Sequence, residues 1–276
     1  MVTKTATKKA EVMTTPKTQP TVASSSELQK LMAEDAGAGI SNRPEDNLIP
    51  QIKVLQPLSP QVLDGPGHVP GAKAGDFLLM GKPVSGSEGF WFQPAQMEQL
   101  WLEFLPLDRG GGFIAAHEFR AGPKGEPIPP PTAKQVEKFH YVFPNGNECV
   151  HYRQMAGIVW QQGKGLEFVI SFKGSGHSVA KAWNTEAGRV GRLPNGQQAP
   201  LWAHLYHLTT SQRRNAQGQW YVIDVGPAVA LDDDSLSDIV SDWSTAYHIG
   251  KRLHAAFGKE KVAEVEVEDG QQKFAM

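Results

Sequence analysis

Residues 201–210 read Leu201-Trp202-Ala203-His204-Leu205-Tyr206-His207-Leu208-Thr209-Thr210. Their alternation puts Leu201, Ala203, Leu205 and His207 on one face, and Trp202, His204, Tyr206 and Leu208 on the other. Side chains of a strand point to opposite faces in turn, so this period of two is a strand signal. Residues 215–218 then turn the chain into a second apolar run at 220–225, and the pair reads as an antiparallel hairpin with a longer loop.

Outward from this hairpin the same grammar recurs. Strand candidates lie at 50–56, 76–80, 89–92, 100–105, 112–117, 139–143, 149–152, 155–161 and 166–173. They are separated by Gly- and Pro-rich connections, of which 121–131 is the densest and has polyproline II character. A short helix is expected at 178–185. A longer amphipathic helix is expected over 233–257, where Leu236, Ile239, Val240, Trp243, Tyr247, Ile249 and Leu253 recur at three-to-four spacing. Strands without regular helical crossovers argue against a doubly wound fold and for a mostly-β (α+β) barrel or sandwich.

Composition sets the ends. Residues 1–43 form a Thr-, Ser-, Pro- and Lys-rich arm, and 259–276 an acid-rich tail. Neither carries enough apolar surface to offset the entropy of ordering, so both are expected to be disordered. The core domain is therefore read as 44–258. The single cysteine, Cys149, excludes an internal disulfide framework. No apolar run of about 18 residues and no signal-peptide h-region are present, so the expected location is cytoplasmic: the host cytoplasm, if the chain is phage-encoded.

Motifs for catalysis are weak. Gly157 and Gly163-Lys164-Gly165 fail both the spacing and the hydroxyl of a phosphate-cradling loop. His140, Cys149 and His151 are the best metal candidates, but they lack a ligand pattern, and His204 and His207 lie on opposite strand faces. Asp232, Asp233 and Asp234 stand where helix-capping acids stand. No catalytic residue, metal or cofactor is expected.

One segment stands out electrostatically. Between Gln161 and Trp220 there are seven basic residues against two acidic ones, in a chain whose net charge is -2. Aromatic residues interleave with them. Cations that follow a phosphate backbone, with rings that stack on bases, are the ingredients of single-stranded nucleic-acid binding. The same pattern also arises when rings fill a β core and charges are merely solvated.

Several stretches resemble a family of bacteriophage proteins, some of them described as single-stranded DNA-binding proteins. They include 49–62, Gly71-Ala72-Lys73-Ala74-Gly75-Asp76, Trp101-Leu102-Glu103-Phe104, 169–175 leading into Ala180-Lys181-Ala182-Trp183, and 200–210 with Asn215. The likeness spans residues 48–226. It implies an OB-like β-barrel acting on single-stranded DNA in phage replication or recombination. Lys173, Lys181, Arg189, Arg192, Arg213 and Arg214 would then neutralise phosphates, while Trp183, Trp202 and Tyr206 would stack on bases. A tail bearing Glu266, Glu268, Asp269 and Phe274 is similar to the partner-binding tails of replicative single-strand binders, though less acidic. A homo-oligomer fits this expectation. The alternative is a phage virion or assembly protein without nucleic-acid activity.

Overall fold

A computed structural model describes residues 49–257, apart from 138–139, 191–192, 194 and 217. The chain divides into units 1–46 and 47–276, and the described residues all belong to the second. The arm of 1–43 and the tail with Glu266, Glu268, Asp269 and Phe274 lie outside the described residues.

In chain order the strands are β1 (Gln51–Val54), β2 (Phe77–Leu79), β3 (Lys82–Val84), β4 (Phe90–Leu105), β5 (Gly112–Glu118), β6 (Arg120–Ala121), β7 (Pro127–Ile128), β8 (Lys134–Glu137), β9 (His140–Val142), β10 (Glu148–Gln161) and β11 (Lys164–Phe172). Helix α1 (Gly176–Val190) follows, then β12 (His204–Asn215), β13 (Gly218–Ala230) and α2 (Trp243–Phe257). Eleven strands form one sheet whose path runs β13-β12-β4-β10-β11-β1-β2-β3, with β5 on β4 and the β8–β9 pair on β10. The fold is mostly β, and the OB-like barrel implied by the resemblance takes here the coarser form of a curled half-barrel.

The spine of the sheet is the antiparallel pairing of β4 with β10, from Glu148 opposite Phe104 to Trp160 opposite Trp91. Sequence reading splits each of these strands in two, whereas each is continuous here, β4 even across Pro94. The structure joins them through a bulge. Ala156 faces Gln96, Gly157 faces Pro94, and Ala95 is the extra residue. A bulge is one of the few places where a central strand tolerates a residue without an N–H. Gly157 is required there, since a Cβ would collide with the Phe92 ring and the Gln93 carbonyl.

The extra residue also resets the alternation of faces. Phe90 and Phe92 before it and Met97 after it line one core with Met155, Phe168, Ile170, Tyr206 and Leu208. Helix α1 covers this concave side with Ala180, Trp183 and Ala187. The opposite face carries Ala95, Ala156, Ile158, Val169 and Leu205, and α2 covers it with Ala246, Leu253 and Phe257.

One buried polar side chain ties α2 down. Gln93 is fully buried and donates from Nε2 to the carbonyls of Trp202 (2.7 Å) and Ala246 (3.1 Å). Its Oε1 accepts from Trp160 Nε1 at 2.9 Å. The helix approaches so closely that Gly250 meets the Trp202 Cβ and Gln93 Nε2, leaving no room for a side chain.

The long helix expected over 233–257 is two elements. Asp233 caps a single 3-10 turn at Asp234–Leu236, its side chain accepting from Ser235 N at 2.9 Å. Asp242 then caps α2, accepting from Ser244 N (3.0 Å) and the Thr245 hydroxyl. Two caps nine positions apart start two elements, and apolar spacing alone does not reveal the break between them.

The curl brings the sheet's two margins together. The Gln56 side chain donates to the Tyr221 carbonyl (3.1 Å) and accepts from its N–H (2.9 Å), standing in for a strand peptide. At the other end of the spine, Glu103 is a buried carboxylate held by Asn147, His117 and Asn145. Burial works against its ionisation, but these hydrogen bonds outweigh it and hold the carboxyl below its ordinary range.

Two outcomes follow. Replacing Gln93 with Leu removes three hydrogen bonds and leaves the buried Trp160 indole N–H without its partner, so urea unfolding should show a loss of roughly 2–3 kcal/mol, against under about 0.5 kcal/mol for Gln96→Ala. A carboxyl whose folded pKa is depressed contributes stability above its unfolded value and loses it as pH falls through the folded one. The stability gap between wild type and Glu103→Gln should therefore be widest near neutrality and shrink below about pH 4. A gap that is constant with pH would remove Glu103 as its source.

Candidate nucleic-acid interface

The expected hairpin is present as β12–β13, paired from His204–Ala230 to Asn215–Gly218. Strand β12 pairs with β4 only at Tyr206, His207 and Leu208. Beyond Leu208 the ribbon has no neighbour in the β-ladder and runs on as a two-stranded arm. Its outer residues Gln212, Arg213, Arg214 and Gln219 are exposed. Successive residues face opposite ways, so Arg213 lies beside Trp220 and Asp224, whereas Arg214 shares a face with Gln212, Gln219 and Tyr221. Arg213 makes a loose 3.5 Å contact with Asp224.

A cleft of about 410 Å3 opens where this arm meets the 71–87 segment, lined by Lys73, Asp76, Ser85, Ser87, Thr210 and Tyr221 among others. Its floor is a junction of small residues. Thr210 donates from its hydroxyl to the Gly75 carbonyl (2.6 Å) and from its N–H to the Gly86 carbonyl (2.8 Å). A Cβ on Gly86 would collide with the Gly75 carbonyl and the Thr210 hydroxyl, and Gly75 lies flush against the Tyr221 ring. Asp76 is turned inward to the N–H groups of Lys73 (2.9 Å) and Gly86 (3.3 Å), which leaves Lys73 exposed at the rim.

The residues expected from sequence do not form one surface. Trp183 and Tyr206 are 2 % and 1 % exposed and pack against each other, their ring centroids 5.3 Å apart. Base stacking needs an open ring face, so both are corrected to core residues. Trp202 is half-buried under α2, tilted against His254 at 4.7 Å, and belongs to the helix junction. Lys173 lies over the Tyr152 ring at 6.0 Å, on the sheet face opposite the α1 side. Lys181 and Arg189 are exposed on α1, the latter paired with Glu186 at 2.7 Å. Arg192 lies outside the described residues.

Sequence reading missed Lys73 and Tyr221 as site residues. Their signal was the glycine-bracketed stretch 71–76, which carries part of the family resemblance without announcing a role. It also missed Arg153, a basic residue within the buried stretch of β10.

Other chemistry is quiet. Cys149 is buried, and burial together with the Glu103 carboxylate across the strand pair pushes its thiol up to about 12. A thiol so placed stays protonated and is a poor nucleophile. Among the described residues no group of three or more His, Cys, Asp or Glu is placed to hold a metal ion. No described helix is long and apolar enough to cross a membrane.

A family model described as Pam3 phage gp34-like protein matches residues 20–263. No curated protein and no solved structure matches the chain. With nearly its whole length matched, the chain belongs to the Pam3 phage gp34-like family of phage proteins.

Proposed function

We propose that this protein binds single-stranded DNA during phage replication or recombination, as a binding protein rather than an enzyme. The observation that carries the reading is the arm of β12–β13, which extends past its last β4 partner and exposes Arg213 on one face and Arg214 on the other, the face it shares with Tyr221, whose ring lines a cleft together with Lys73. Guanidinium groups suit phosphate oxygens because their fork of N–H donors matches two acceptors at once. Tyr221 takes the stacking role first assigned to the buried rings. The curled sheet, with a binding ribbon at its margin, supports the same comparison with OB-like barrels. A role for the acidic tail in recruiting replication proteins belongs to this proposal too.

Anisotropy titration of labelled oligo-dT and of the matching duplex, at several salt concentrations, tests it. The single strand should bind more tightly, with affinity falling steeply as salt rises. The double variant Arg213→Ala/Arg214→Ala should lower the log–log salt slope by about 1.4, since each single-strand phosphate contact contributes roughly 0.7. Tyr221→Leu should weaken binding by about 1–3 kcal/mol without changing the slope. Trp183→Phe should leave binding intact. A flat salt response, or equal affinity for duplex, would reject the reading. Such a protein in a large closed assembly would instead fit a virion component.

A further inference from the structure

The concave face of the sheet holds a second concentration of positive charge, away from the ribbon arm. Arg153 of β10 is 8 % exposed. Burying a guanidinium costs several kcal/mol unless its charge is compensated. Its hydrogen bonds go to a neutral partner, Gln99 on the adjacent strand, whose Oε1 accepts from Nε (3.1 Å) and Nη2 (2.8 Å). That pair fixes the plane of the fork and uses only part of its five N–H groups.

Two residues before Arg153 on the same face, His151 stacks on His177 from the first turn of α1, with ring centroids 4.6 Å apart at 20°. His151 Nε2 and His177 Nδ1 are buried and have no hydrogen-bond partner. Lys181 follows His177 by one helical turn and so lies on the same side of α1. Burial is the main cause that keeps both imidazoles below their ordinary range; for His151 the neighbouring His177 and then Arg153 and Lys181 add to it, and for His177 Arg153 adds to it, while a hydrogen bond with the His151 backbone acts the other way and outweighs the small effect of Lys181. Among the described residues no carboxylate forms an ion pair with Arg153 or Lys181. The start of α1 adds its own partial positive charge.

We propose that Arg153, Lys181, His177 and His151 form a binding site for a phosphate-class anion beside the first turn of α1. The donors suit that chemistry. A planar guanidinium, an ammonium and two ring nitrogens offer several N–H groups to one tetrahedral oxyanion, in a setting where water competes poorly. A cation is repelled by the same charges. Trp101 and Phe119 are both in ring contact with His151, so these neighbours of its ring are apolar and offer it no counter-charge. The anion enters as a free phosphate or as one phosphodiester of a bound strand, and the site does not depend on the ribbon reading.

The test uses the full chain with labelled histidines, followed by NMR while inorganic phosphate replaces chloride at constant ionic strength. A phosphate anion placed against both rings favours their protonated forms. The His151 and His177 resonances should therefore move and their apparent pKa values rise, while the resonances of exposed His68 and His248 do not shift. The thermal midpoint should rise with phosphate as well. Lys181→Ala, an exposed position that leaves the core intact, should weaken the response roughly tenfold or more, and Arg153→Gln should do the same if it folds. Unmoved rings, a Lys181→Ala titration like wild type, or an equal effect of acetate would overturn the site. An oligo-dT arm separates the two sources. Movement of the two rings with dT as well as with phosphate assigns the site to a backbone phosphate, and movement with phosphate alone assigns it to a free anion. Binding of dT with both rings unmoved in every arm overturns this site and leaves the ribbon reading standing.

Discussion

The bulge at Pro94-Ala95 is the constraint on which the rest of the structure depends. A strand of sixteen residues in the middle of a sheet would otherwise run nearly straight, and its alternation would continue unbroken. The extra residue at Ala95 increases twist, bends the β4–β10 pair and flips the parity of every residue after it. Phe92 and Met97 thus face the same helix although an even number of positions does not separate them. Gln93, immediately before the proline, is turned to the other side, where its amide meets the Trp202 and Ala246 carbonyls and the Trp160 indole. The strands beside β4 present apolar residues on both faces in ordinary alternation, and the interruption lets β4 do the same on both sides of Pro94.

The curl that results also decides where charge can go. A flat sheet covered by helices on both sides would leave its margins far apart. Here the margin carrying Gln56 and Gly86 reaches the β12–β13 ribbon, so the ribbon root is clamped while its tip stays uncovered. The arginines sit on the uncovered part. The second cationic group lies in the concavity itself, where α1 begins. Net charge says nothing of this, because -2 for the chain averages an acid-rich tail with two local positive fields.

Much of the fold was legible because its signals are local. The hairpin at 201–225 carries its alternation and its turn within one short stretch, and its pairing follows. The continuity of β4 was not legible, because the residue that rescues Pro94 is Gly157 on another strand. The split of the last helix was hidden by an apolar spacing that passes through the break, although the second cap, Asp242, stood in the sequence. Trp183 shows the limit of reading rings among charges. Its spacing on α1 with Ala180 and Ala187 marks a buried stripe as well as a basic helix face, and contact with Phe92 at 5.8 Å settles it as core. Arg153 shows the opposite failure, since one charge inside a buried strand reads as noise until its neighbours across the sheet and on α1 are known.

Helix α1 connects these two readings. Its buried stripe is anchored by Trp183, wedged among Phe92, Phe172 and Tyr206, and the same turn of helix carries Lys181 outward. A large aromatic side chain in a close-packed core fixes the rotation and depth of the helix that bears it. The position of Lys181 and His177 relative to Arg153 is therefore set by packing rather than by their own contacts. An anion held there would touch a rigid first turn instead of a loop, so binding would require little ordering of the protein. The ring that sequence reading assigned to stacking on a base is instead a packing anchor, and it holds in place the cations that the proposed anion site would use.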